Sequence, residues 1–360
     1  MYLHSLSGAV PQASFTQAEC WELFSRSKSR RRLKTRSVDL IEKILLGDSG
    51  IDKRHFAVSE MESLFELPAE DLNRSFENEA PKLATRALKK ALTDAGWEAS
   101  SLDALVVCTC TGYICPGISS HVAEQLEIRP NAYLQDLVGL GCGAAIPSLR
   151  AAHSIVHSHE KKSTPRVAVV AVEICSAAFY LEDDPGVLIS ACIFSDGASA
   201  SLWSNVPGPT RLQVGQFDTL HIPEDREFLR FLNSEGKLKN RLHRSIPARA
   251  TSAVEKLWGN LHLNGDPSPE MVAHGGGRDV VSALSQRFPS QKLDTTQNIL
   301  KRYGNMSSPS VLFSLEEKLK QYREPDTNTS ERNYWLVSFG AGFSAHSCRL
   351  ATTITPKDHG

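Results

Sequence analysis

Two uninterrupted apolar runs constrain this chain most. Residues 104–110 read ALVVCTC and residues 166–173 read RVAVVAVE. Both are short, rich in β-branched residues and free of the polar alternation that marks a strand with one wet face. Strands of this kind are buried on both faces, in a sheet covered by helices on each side. The covering helices are legible nearby. Residues 81–95 carry Leu83, Ala87, Leu88, Ala91 and Leu92 along one face, and residues 144–157 carry Ile146, Leu149, Ala152, Ile155 and Val156 at the same spacing. Further helices are expected at 119–126, 251–261, 278–287 and 310–321. Strands are expected at 132–141, at 191–194 and 198–203 around a Ser-Asp-Gly turn, at 212–220 and 270–274, and at 334–339 and 342–349 around Gly340-Ala341-Gly342. Strands alternating with helices predict an α/β protein.

The most Pro/Gly-rich stretch, 205–211 (NVPGPTR), falls near the midpoint. The parts on either side, 1–205 and 206–360, echo each other. Each offers a strand running into a glycine corner, a helix, a strand and a closing hairpin. VVCTCTG matches EMVAHGGG in placement, and ACIFSDGASASLW matches WLVSFGAGFSAHSC in pattern. This predicts a pseudo-duplicated chain with mixed sheets between helix layers.

Charge and cysteine usage narrow the function class. A formal net charge of −1 gives no global pull toward nucleic acid or membrane. No apolar run approaches the roughly 20 residues of a membrane span. Residues 1–11 lack the pattern of a secretory signal. Of eight cysteines, Cys108, Cys110, Cys175, Cys192 and Cys348 sit in apolar strand-like runs, which predicts reduced thiols in a cytoplasmic protein. Residues 25–36 (SRSKSRRRLKTR) are densely basic. They read as a solvated face or as an electrostatic lure for a phosphate-bearing substrate. No metal site is expected: Cys108, Cys110 and Cys115 lack zinc-knuckle spacing, and His153 with His157 lacks a third ligand.

Chemistry points to three residues. Cys142 lies in VGLGCGAA, between an expected strand and helix. A cysteine at a helix start meets free N–H groups and the positive dipole end, which favour thiolate. His274 ends the strand MVAH before three glycines, and Asn305 stands in YGNMSSP. Singly, these read as a core thiol, a satisfied histidine and a turn former. Together they supply a nucleophile, a partner for it, and N–H donors for a thioester oxygen. The order Cys, His, Asn also fits a papain-like protease or a glutamine amidotransferase, which lack a duplicated scaffold.

Cys142 with its glycines, IFSDGASA, VAHGGGRDV, YGNMSSPSVLF and FGAGFS follow the order and spacing of the thiolase superfamily. From about residue 40 to residue 350 the chain resembles a type III polyketide synthase of the chalcone and stilbene synthase family. Residues 236–247 (GKLKNRLHRSIP) are similar to the bacterial branch making alkylresorcinols or alkylpyrones.

The resemblance implies a thiolase-like fold, layered αβαβα. It implies that Cys142 takes a starter acyl group from CoA. His274 and Asn305 would hold the malonyl-CoA carbonyl and the enolate left by decarboxylation, and condensation and cyclisation to a resorcinol or pyrone would follow. Phe194 matches the gatekeeper aromatic. Cys115, in Cys-Pro-Gly, matches a loop reaching across a homodimer. Ser307 and the turn at Gly340 would line the cyclisation chamber, with Glu173 behind it. Lys43 is the best candidate for CoA phosphates, with residues 30–34 in support. The second gatekeeper position falls on Asn240, the cavity threonine on Ala178 and the turn proline on Ala341. The implied partners are an acyl-CoA starter, malonyl-CoA and a second copy of the chain, with no bound cofactor and no nucleic acid. Rival readings are a single-round β-ketoacyl synthase III-like enzyme and a catalytically idle member serving as a binding subunit.

Overall fold

The computed structural model describes residues 1–57, 64–158, 163–262, 267–321 and 332–352. The chain opens with β1 (Tyr2–Ala9), β2 (Ser14–Thr16), α1 (Gln17–Arg26), α2 (Thr35–Leu45) and β3 (Lys53–His55). Next come α3 (Ala69–Ala95), β4 (Ala104–Thr109), α4 (Ile118–Gln125), β5 (Tyr133–Val138), α5 (Ala145–Ser158), β6 (Val167–Glu173), α6 (Pro185–Ile193) and β7 (Gly197–Ser204). After β8 (Leu212–His221), the hairpin β9 (Leu229–Ser234) and β10 (Lys237–Leu242) leads to α7 (Ile246–Gly259) and β11 (Glu270–Ala273). Helices α8 (Arg278–Arg287), α9 (Asp294–Tyr303) and α10 (Ser310–Gln321) precede β12 (Asn333–Gly340) and β13 (Ser344–Thr352).

Nine strands form one mixed sheet in the order β11-β12-β13-β8-β1-β7-β6-β4-β5. The order repeats about the β8–β1 contact. β1 pairs antiparallel with β7, β7 antiparallel with β6, and β6 parallel with β4. β8, β13, β12 and β11 repeat those three relations.

Helices separate these strands into layers. α3 covers β1, β7 and β6 from outside, burying a core from Phe76 to Leu92 against β4, β6 and β7. α7 covers β8 and β13, with α8 packed on α7. α5 and α10 lie between the two groups of strands and touch both. The two runs that open the sequence argument become β4 and β6, buried at every position. The resulting order is helix, sheet, helix, sheet, helix.

Three local expectations need correction. Residues 191–194 do not form a strand. They close α6, whose start is capped by the Asp184 carboxylate on the Gly186 and Val187 N–H groups, with Pro185 in the first turn. A short all-apolar run carries no period that separates strand from buried helix. The N-terminal part therefore has no closing hairpin of its own. The helix expected from residue 81 begins at Ala69 and carries Pro81 inside. Leu72, Phe76 and Ala80 continue its buried stripe, and that burial outweighs the roughly 3 kcal/mol a helical proline costs. The polar segment after residue 220 holds the hairpin β9–β10, which the sequence reading missed.

Candidate active site

Cys142 sits in a tight turn, Gly141–Gly143, that runs into α5. Backbone packing holds this turn. Gly141 adopts φ +59°, and a side chain there would meet the Ala341 backbone nitrogen at 2.7 Å. Gly340, the last residue of β12, lies just as close on the other side: a Cβ would reach Gly143 N at 2.6 Å and Leu140 O at 2.7 Å. Both glycines are spent on bringing the 340–342 turn against the cysteine.

Cys142 is half-buried, and its sulfur accepts a hydrogen bond from Ser307 Oγ at 3.1 Å. Burial pushes the thiol up to about 12, only partly offset by the Ser307 bond. Burial thus opposes the thiolate that the helix start favours. His274 is driven the other way by burial, down to about 4.

His274 follows β11, its N–H bonded to Val337 O at 2.9 Å and its ring edge-on to Phe339 with centroids 5.2 Å apart. Nδ1 is sealed from solvent with no hydrogen-bond partner among the described residues. A sealed lone pair costs less than a sealed N–H donor, so the proton belongs on Nε2, the nitrogen left to face the cavity. Asn305 is held by its backbone between Ile193 O and the Ser195 N–H, both at 2.9 Å. Its side-chain oxygen accepts from the Ser307 N–H at 2.9 Å, and Nδ2 donates to Gly276 O at 3.1 Å. The first bond fixes the amide orientation. The second uses one of two amide hydrogens and leaves the other as a donor.

Behind Cys142 lies Glu173, fully buried. It accepts from the Thr109 and Thr111 hydroxyls, the Cys110 N–H and thiol, and the Ser308 hydroxyl, and Ser307 Oγ lies 3.4 Å from it. Burial raises its pKa against these donors. Ser307 Oγ also lies 3.3 Å from the Cys110 sulfur, so one hydroxyl touches Cys142, Cys110 and Glu173.

One cavity of about 530 Å³ is lined by Cys142, His274, Asn305, Phe194 and Lys43. Five positions drawn from across the sequence thus meet. Its walls are largely apolar, with exposed Lys43 and Arg244 at the rim. Arg244, His243 and Arg278 also line it and were missed; isolated basic residues in a polar stretch carry no sequence signal. Arg278 is engaged by the Asp48 carbonyl and by Asp279. Ser307 instead borders a second, inner pocket with Phe194 and Asn240. Gly340 packs on the Cys142 turn and Cys115 is on the surface; neither lines the cavity. The basic residues Arg30, Arg31 and Arg32 are exposed away from it, and Lys34 faces Asp183.

Comparison with known proteins follows this geometry. The profile described as "FAE1/Type III polyketide synthase-like protein" matches residues 5–220, and "Chalcone and stilbene synthases, C-terminal domain" matches residues 219–352. The chain is 28% identical over 325 residues to a 3,5-dihydroxyphenylacetyl-CoA synthase of Amycolatopsis balhimycina, covering 86% of this chain and 82% of the relative. It is 28% identical over 335 residues to the same-named enzyme of Streptomyces toyocaensis, covering 87% and 81%. In fold it matches the type III polyketide synthase domain of Steely1 from Dictyostelium, with TM-score 0.84, 22% identity and coverage of 98% and 99%. It also matches 1,3,6,8-tetrahydroxynaphthalene synthase from Streptomyces coelicolor, with TM-score 0.85, 21% identity and coverage of 99% and 100%. The chain thus has the thiolase-like fold and belongs to the type III polyketide synthases of the chalcone and stilbene synthase family, which are CoA-dependent acyltransferases.

Proposed function

We propose that the chain extends an acyl-CoA starter with malonyl-CoA through a thioester on Cys142 and cyclises the product. The observation that carries this reading is the single cavity shared by Cys142, His274 and Asn305. In loading, the Cys142 sulfur attacks the starter's thioester carbonyl. A new carbon–sulfur bond forms, the bond to CoA breaks, and CoA leaves with the thiol proton. In extension, malonyl-CoA loses CO2 and the released electron pair becomes an enolate. His274 Nε2–H and the free Asn305 N–H donate to its oxygen. The enolate carbon attacks the acyl carbonyl; a carbon–carbon bond forms, the bond to Cys142 sulfur breaks, and the sulfur departs as thiolate and takes up a proton from solvent water.

Phe194, whose backbone bridges to Asn305 and whose ring borders both pockets, separates the two spaces. Lys43, joined by Arg244, meets the CoA phosphates. The relatives' named product carries a 3,5-dihydroxyphenyl ring, which supports resorcinol-type closure over a lactone. The repeated strand order supports two halves, 1–205 and 206–360. We read the working unit as a cytoplasmic homodimer. Tyr133, Leu134 and Val138 on edge strand β5 are exposed, as is Tyr113 near Cys115, and such an edge calls for a partner. No helix among the described residues is long and apolar enough to cross a membrane.

The test is incubation with malonyl-CoA and a panel of acyl-CoA starters, with mass spectrometry of products and of the intact protein. Acylation at Cys142 and products that vanish in Cys142→Ala are expected. Undiminished product from Cys142→Ala would overturn the assignment.

A further inference from the structure

Phe194 and Asn305 meet at the end of α6, and a buried arginine closes that end. The last carbonyls of a helix lack partners further along it. In α6, three of them are taken from elsewhere in the chain. Ala191 O accepts from Arg54 Nη1 at 2.7 Å, Cys192 O from Gln17 Nε2 at 2.9 Å, and Ile193 O from the Asn305 N–H at 2.9 Å. Phe194 O, one residue on, accepts from the same Arg54 nitrogen at 3.0 Å.

Arg54, on β3, is only 1% exposed. Its Nε donates to Gln17 Oε1 at 2.9 Å, which fixes the plane of the guanidinium. Its stem packs on Gly304, where a Cβ would meet Arg54 Cγ at 2.9 Å. Gly304 directly precedes Asn305, so one side chain touches the backbone on both sides of the Phe194–Asn305 bridge. No carboxylate among the described residues pairs with this cation. A buried charge without a partner is costly; the partial negative charge of a helix C-terminus, about half an elementary charge, offsets it here. Cys142 and His274 are anchored elsewhere, by the 340–342 turn and by Val337 and Phe339. The strand itself does not need the guanidinium. The His55 N–H donates to Ser195 Oγ at 2.8 Å, and His55 O accepts from the Asp196 N–H at 2.9 Å.

We propose that Arg54 is a positioning residue for extension: it holds Phe194 and Asn305 in fixed relation, and so places the malonyl-CoA carbonyl, without acting on the loading of Cys142. The proposal rests on the reaction set out above. The test replaces Arg54 by Met, an unbranched stem without donors, and by Lys, which keeps the charge but not the planar fork. Thermal unfolding shows which variants are folded. Two rates are then read: single-turnover acylation of Cys142 by intact mass, and CO2 release from malonyl-CoA. Arg54→Met should lower CO2 release by about 10²-fold, the cost of a displacement near 1 Å, while acylation stays within about threefold of wild type. Arg54→Lys should recover part of the lost CO2 release. Gln17→Leu, which releases the guanidinium's Nε and Cys192 O, should lower CO2 release in the same sense but by less.

Equal losses in both rates would mean a purely structural role and overturn the proposal. So would wild-type CO2 release in a folded Arg54→Met, or an Arg54→Lys that recovers nothing. Should Arg54→Met not fold, Arg54→Lys and Gln17→Leu decide by the same ratio: a loss confined to CO2 release supports the proposal, and an equal loss or none overturns it. A wild type that is acylated by no starter and releases no CO2 would refute the underlying reaction, and this role with it.

Discussion

Gly340→Ala tests how the nucleophile is positioned. The added Cβ would lie 2.6 Å from Gly143 N, 2.7 Å from Leu140 O and 3.0 Å from Cys142 N. All three are backbone atoms, so no side chain can swing aside. Ordinary contact begins near 3.4 Å, so the closest pair must separate by about 0.8 Å. β12 is held in the ladder by β11 and β13, which leaves the Cys142 turn as the part that moves. A displacement near 1 Å can cost about 10²-fold in rate, and overpacking costs about 1–3 kcal/mol in stability. The assay is single-turnover acylation of Cys142 by an acyl-CoA, alongside thermal unfolding. Gly259→Ala is the control, because its Cβ would meet nothing within 4 Å. Acylation at the wild-type rate in Gly340→Ala would show that this contact does not set the sulfur's place.

Asn305→Asp keeps an acceptor for the Ser307 N–H but removes the donor. It should lower product formation by about 10²–10³ while acylation of Cys142 persists; unchanged turnover would remove the donor role. His274→Gln should flatten the acid limb of stability. The folded pKa, near 4, lies below the usual 6.5, so wild type loses stability relative to the variant as pH falls from about 6.5 through 4. The difference is on the order of 3 kcal/mol, read by urea denaturation at pH 7 and pH 4; a constant gap between the two proteins would contradict it. The wild-type chain should run as a dimer in light scattering. Leu134→Lys with Val138→Lys, two positions on one face of β5, should yield monomer; a monomeric wild type would sink the proposed interface.

Much of the scaffold is legible in the sequence because its signals are local. An unbroken β-branched run such as 104–110 has one stable home, a strand covered on both faces, and a 3.6-residue stripe such as Leu83 to Leu92 has one as well. The positions of Cys142, His274 and Asn305 at strand and helix ends were also readable, since glycines mark where backbone must pass closely. Where local signals were ambiguous, reading failed. The run closing α6 is apolar all round, and Pro81 looks like a helix start until Leu72 and Phe76 pack.

What the tertiary structure alone decided is the state and surroundings of the reactive groups. A helix start argues for thiolate at Cys142; burial by segments far away in sequence pulls toward the thiol. Ser307 touches that sulfur across 165 positions of chain, and Phe231 reaches the inner pocket only because β9 and β10 fold back over α6. Hydrogen bonds, desolvation and cavity volume depend on which distant segments meet, and chain closure sets those meetings. Periodicity and composition record only what each segment would bury.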